Sequence, residues 1–222
     1  FRWVCLSGKH EDLIATDHAA MECIDKDRRY QDMDNYIWIR DADKNQLVVG
    51  TQARILYQDA KGRVAIAHKF NELVREGKIG PVMMGRDHHD VSGTDSPFRE
   101  TSNIKDGSNV MADMATQCFA GNCARGMSLV ALHNGGGVGI GKSINGGFGL
   151  VLDGSEMVDE IIDLSLTWDV MSGVARRNWA RNEHAIEVSK EFNEDNEFGH
   201  ITLPYFVKDE LIDNAVDSLN ID

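Results

Sequence analysis

VAIAHKFNELVREGKIGPVMM, Val64 to Met84, decides the fold class. Ile66, Ala67, Phe70, Leu73 and Val74 recur at the spacing of one helix face, so the periodicity predicts a helix over Val64 to Arg75. Gly77 supplies a stop, because the left-handed turn that ends many helices costs nothing without a Cβ. Val82 to Met84 is apolar throughout and too short for a further helix, which reads as a brief buried strand. The polar stretch RDHHDVSGTDSPFRET, Arg86 to Thr101, follows with no helical or strand period, and reads as a loop carried on a strand end.

Outward from this core the same alternation continues. Phe1 to Leu6 reads as a strand, Ser7 and Gly8 as a turn, and Glu11 to Asp25 as a helix with Leu13, Ile14, Ala20, Met21 and Ile24 on one side. Tyr36 to Arg40 and Gln46 to Val49 read as short strands around a DADKN turn. Asn109 to Phe119 is predicted helical, Ser128 to Leu132 and Gly147 to Leu152 are predicted strands, and Ser155 is placed as the N-cap of a helix that Gly173 interrupts. Ala175 to Phe192 is predicted to form a second helix, followed by an acidic tail over 194–222. Strands alternating with helices predict an α/β fold with a mixed, mostly parallel sheet and flanking helices, in a single domain spanning 1–222. The strand-like opening FRWVCL, without an initial methionine, leads us to expect a fragment of a longer protein.

Composition narrows the function classes. A formal net charge of −13 argues against a nucleic-acid surface, which needs clustered Lys and Arg, and points to small molecules or proteins as partners. No apolar run approaches the roughly 20 residues of a membrane span. Cys5, Cys23, Cys118 and Cys123 form neither CxxC pairs nor a dense framework, as expected of reduced thiols in a cytoplasmic protein, and they offer no zinc set.

Two stretches carry candidate chemistry. In the first, Asp87, His88, His89 and Asp90 are titratable groups beside Arg86 and Arg99, suited to acid/base work, although an ion-pair network pinning a long loop would use the same residues. Adjacent histidines diverge in direction, so no metal site is expected there. In the second, HNGGGVGIG at His133 to Gly141 clusters glycines where a ligand or another backbone can approach closely. Gly136 to Ser143, GGVGIGKS, spells a P-loop, but the glycines and β-like FGLVL that follow oppose the helix a P-loop requires.

RDHHDVSGTDSPFRETSNIKDGS, ALHNGGGVGIG, NGGFGLVLDG and WDVMSGVARRNWARN, with ARILYQDAKGR and RWVCLSG in the same order, resemble the C-terminal part of the urocanate hydratase (urocanase) family. The resemblance covers the chain to about Phe192. It implies hydration of urocanate to imidazolonepropionate in histidine degradation, with NAD⁺ as an electrophile that accepts the substrate's electrons and returns them without net redox. Under this resemblance Arg99 is expected to clamp the substrate carboxylate with Arg86 and His133 as further substrate contacts. Asp87, His88, His89 and Asp90 are expected to share the acid/base roles, in an order left open. Gly137, with Gly135, Gly136 and Gly139, is expected to lie against NAD⁺. The resemblance further implies an upstream NAD-binding domain of the same enzyme, a cytoplasmic homodimer, and no turnover by this segment alone.

Two departures stand out. The cysteine proposed as catalytic in bacterial members aligns with Leu56, and Lys142–Ser143 stands where the family has no such pair. A structural or dimerisation role without catalytic groups is the alternative from a different class, and a P-loop-like nucleotide-binding protein using Lys142 is a third.

Overall fold

The computed structural model describes residues 1–48, 50–86, 112–134, 144–196, 199–205 and 207–219. In chain order these form β1 (Arg2–Cys5), α1 (His10–Cys23), α2 (Tyr30–Ala42), β2 (Ala53–Ile55), α3 (Ala60–Arg75), β3 (Val82–Gly85), α4 (Ala112–Ala124), β4 (Leu129–Asn134), β5 (Ile144–Leu152), α5 (Glu156–Trp179), α6 (Glu183–Asp195) and α7 (Asp209–Asp217).

The strands make one sheet of order β2-β1-β3-β5-β4, in which every neighbouring pair is antiparallel. This corrects the expected mostly parallel sheet. The crossovers that pass through α3, from β2 to β3, and through α4, from β3 to β4, do join strands that run the same way, because β2 and β3 both oppose β1, and β3 and β4 both oppose β5. Each crossover skips one position, and an antiparallel strand, β1 or β5, fills the gap. Alternation of strands and helices gives the direction of the crossovers but not what is inserted between them.

Period-two alternation sends one side of each strand into the core. Arg54, Trp3, Met84 and Leu150 face one another across four strands, with Cys5, Val82 and Leu152 in the parallel row, and all are buried. Trp3 packs against Phe70 of α3 with ring centroids 5.3 Å apart and the rings tilted by 59°, and its indole N–H donates to Thr16 Oγ1 of α1 at 2.9 Å. Arg54 is the charged member of this row. It donates to both Asp17 oxygens at 2.8–3.2 Å, and burial pushes the Asp17 carboxyl up against the opposing pull of Arg54. The helix α3 begins as a local rule dictates, with the Asp59 side chain accepting from Gly62 N at 2.8 Å.

Backbone contacts divide the chain into two compact units, Phe1–Gly173 and Val174–Asp222. The sheet belongs to the first. In the second, Asn178 donates to Thr202 O at 2.8 Å, and Asn193 both donates to Ile201 O and accepts from its amide, which ties the chain after α6 to these helices. The helix α7 buries no residue.

Three local expectations change. Tyr36 to Arg40 belongs to the helix α2, whose buried positions Asn35, Ile39 and Ala42 follow helical spacing. Gln46 is not in a strand but holds a left-handed turn, φ 55°, and Leu47 N bonds back to Ala42 O at 2.9 Å to close the end of α2. Gly173 does not stop α5. The break falls at Arg181, φ 65°, after which the Asn182 side chain caps α6 by accepting from Ala185 N at 3.0 Å.

Candidate active site

The strands that precede the charge-rich and the glycine-rich stretches run in the same direction. β3 and β4 both run antiparallel to β5, so the chain departs β3 at Arg86 and β4 at Asn134 in one direction. Gly85 and Leu129 lie opposite the same residue, Gly149, and β4 continues from that level to Asn134, roughly 17 Å further at ~3.4 Å per residue. Asp87, His88, His89, Asp90 and Arg99 lie outside the described residues, as do Gly135, Gly136, Gly137 and Gly139. Arg86 and His133 are described. His133 pairs with Asn145 across β4 and β5, and its Cα is about 14 Å from that of Arg86 by strand spacing, so these two do not touch through the backbone.

Arg86 sits one residue past β3, fixed by its amide donating to Phe148 O at 3.2 Å. Its guanidinium is nearly buried, 10% exposed, and Nη1 lies 3.7 Å from Asp169 Oδ2 on α5. The same Oδ2 accepts from Arg63 Nη1 of α3 at 3.2 Å. One carboxylate is thus shared by two guanidinium groups, and Arg86 holds the longer contact, beyond hydrogen-bond range. Burial pushes the Arg63 guanidinium down to about 10; Asp169 opposes this and Arg86 adds to it. The Arg63 guanidinium also lies 5.3 Å from the Phe1 ring centroid, a cation–π contact on its other side.

Beside this cluster a narrow cleft is lined by Arg86, Asp169, Asn122, Cys118, Phe119 and the backbone of Gly146 and Gly147. The space in it open to water-sized groups is about 10 Å³, enough for one such group. Asn122 is 4% exposed, and among the described residues its Oδ1 has no hydrogen-bond partner. The cleft does not fit a dinucleotide such as NAD⁺; its chemistry fits a single oxygen of an anionic group.

A second polar network ties α3 to α5. Asn71 donates to Asp159 at 2.8 Å and to Ser155 O at 3.0 Å, Arg75 pairs with Asp159, and His68 bridges Asp159 and Asp163 at 3.3 and 2.6 Å. Burial pushes the Asp159 carboxyl up, but the bonds with Asn71, Arg75 and His68 outweigh it and hold the group below its ordinary value. This network fixes the helix that carries Asp169.

Sequence reasoning missed Arg63, Asn122 and Asp169. Arg63 and Asp169 lie within the stretches ARILYQDAKGR and WDVMSG, and the available signal was a charge set among apolar residues of a helix that must face the sheet. The P-loop reading fails on the described residues, because β5 begins at Ile144, directly after Ser143, and no helix N-terminus meets that point. Leu56, expected from the resemblance to stand where bacterial members carry a cysteine, is a core residue 2% exposed. Cys118, not singled out from the sequence, lines the cleft.

The described residues define an α/β domain with an antiparallel sheet and a buried arginine–aspartate–arginine cluster just past the end of β3. A family model described as the urocanase C-terminal domain matches residues 1–191, and the chain belongs to that family. The urocanate hydratase of Mus musculus is 55% identical over 221 residues, covering 96% of this chain and 33% of the mouse protein. That of Homo sapiens is 52% identical and the probable urocanate hydratase of Caenorhabditis elegans 53%, with the same shares. The chain spans about a third of the length of these relatives. Among the described residues no helix is long and apolar enough to cross a membrane.

Proposed function

We propose that this chain forms part of the active site of a urocanate hydratase, adding water to urocanate to give imidazolonepropionate. The observation that carries the reading is the position of Arg86. A nearly buried guanidinium, held at 3.7 Å by a carboxylate that already serves Arg63, stands at the strand end from which residues 87–90 continue. A cation so placed has donors to spare for an anionic substrate.

In this account Arg99 and Arg86 bind the substrate carboxylate, and His133 borders the site. Asp87, His88, His89 and Asp90 move the protons that hydration requires. NAD⁺ is assigned to the backbone of Gly135, Gly136, Gly137 and Gly139 and to an upstream domain of the same enzyme, in a cytoplasmic homodimer. The segment alone does not turn over. The common direction of β3 and β4 supports the convergence of the charged stretch with the glycines.

Urocanate consumption by the full-length protein tests the reading. Arg99→Ala is expected to lower kcat/KM by about 10- to 150-fold, the value of one charged hydrogen-bonding group at roughly 1.5–3 kcal/mol. Lys142→Ala is expected to leave it unchanged. Wild-type kinetics in Arg99→Ala, with lower yield or stability alone, would favour the scaffold role instead.

A further inference from the structure

We propose that Asn122 is a substrate-contacting residue, and that with Arg86 it forms a subsite for one oxygen of the substrate carboxylate. The proposal rests on the hydratase reading and assigns to that site a residue outside the charged loop and the glycine run.

Three observations carry it. Asn122 lies in the last turn of α4 and is 4% exposed, so its amide has been taken out of water, yet among the described residues Oδ1 has no partner. A buried amide end without a hydrogen bond costs on the order of 1–3 kcal/mol, a cost that a fold does not keep without return. The residue also lines the same cleft as Arg86, together with Gly146 and Gly147, which carry no side chain. Finally, the cleft has about 10 Å³ open to a water-sized group, adequate for one oxygen at the edge of a carboxylate.

Charge selects the class of ligand. Arg63 and Arg86 share Asp169, and Arg86 is the more loosely held of the two, so its N–H groups can turn to an incoming anion without abandoning a short bond. Rotation of the Asn122 side chain by 180° exchanges Oδ1 for Nδ2, so the amide can present a donor to the oxygen that Arg86 binds. The Asn122 donor and the Arg86 charge together favour a carboxylate, whose two oxygens both accept, over a carboxamide, whose nitrogen does not. An aspartate there would repel the carboxylate and accept from the carboxamide.

The test compares two probes in the full-length protein by equilibrium titration: 3-(imidazol-4-yl)propionate and its carboxamide. In Asn122→Asp the dissociation constant of the carboxylate is expected to rise at least tenfold, and that of the carboxamide by less than threefold. Asn122→Ala is expected to weaken the carboxylate at least threefold and leave the carboxamide unchanged, and it carries the test alone if Asn122→Asp does not fold. Equal changes for the two probes, or no change in either, would overturn the subsite while leaving the hydratase reading intact. Failure of the unaltered protein to bind either probe would overturn both.

Discussion

Replacing Asp169 by asparagine removes the charge that two buried guanidinium groups share, with no change of shape. Asp169 is 2% exposed, Arg63 9% and Arg86 10%, so water cannot take over the solvation of either arginine. Removing one partner of a buried ion pair costs about 3–5 kcal/mol, because the remaining charge is left uncompensated. Here Arg63 is already pushed down to about 10 with Asp169 in place, so the asparagine variant loses the main group opposing that burial. For a unit of this size each kcal/mol lowers Tm by roughly 2–4 °C, which places the expected fall at about 6–20 °C. Calorimetry of the full-length protein at neutral pH measures it, with Arg63→Gln/Asp169→Asn as the companion. The double variant is expected to recover part of the loss, since it removes one of the two stranded cations. A fall of less than about 1 kcal/mol in Asp169→Asn, or a double variant worse than the sum of its parts, would refute a desolvated, charge-sharing cluster.

Other expectations concern the frame that holds the site. Gly121→Ala would drive a Cβ into the Trp168 indole, one residue before Asp169, and is expected to cost about 1–3 kcal/mol in denaturant unfolding. Gly154 holds φ +87° with Arg75 N 2.8 Å from the place of a Cβ, so Gly154→Ala combines strain with overlap and is expected to destabilise by at least ~1 kcal/mol, read as a lower Tm. Asp159, held below its ordinary 3.8, contributes stability that is fully present above that value and is lost as pH falls through its lower folded value. The Tm difference between the unaltered protein and Asp159→Asn should therefore be widest at neutral pH and narrow in acid below 3.8. A gap independent of pH would contradict it.

The parts of this fold written in local periodicity were legible. The α3 face from Ile66 to Val74, the Gly77 stop, φ +68°, and the Val82–Gly85 strand stand as their residue types dictate. What misled were residues whose role is set by distant contacts. Ile37 and Trp38 made α2 look like a strand, yet both are exposed, and the helix turns its Asn35, Ile39 and Ala42 inward. Asn35 disguises the stripe because it is there to donate to Tyr57 O, a bond invisible in the sequence. Strand direction failed for the same reason, since β1 and β5 enter the sheet between crossovers from opposite ends of the first unit. The site divides likewise. Arg86 could be singled out because it opens a run of charges, whereas Arg63, Asn122 and Asp169 come from three helices far apart in sequence and acquire meaning only where α3, α4 and α5 meet beside the sheet.

A crystal structure of the full-length protein with bound 3-(imidazol-4-yl)propionate tests the central claim most directly. The account predicts the carboxylate within about 3 Å of the Arg86 guanidinium, at the end of the sheet where the chain leaves β3 and β4. A carboxylate bound at the opposite end of the strands, or one that leaves Arg86 on Asp169 alone, would contradict it.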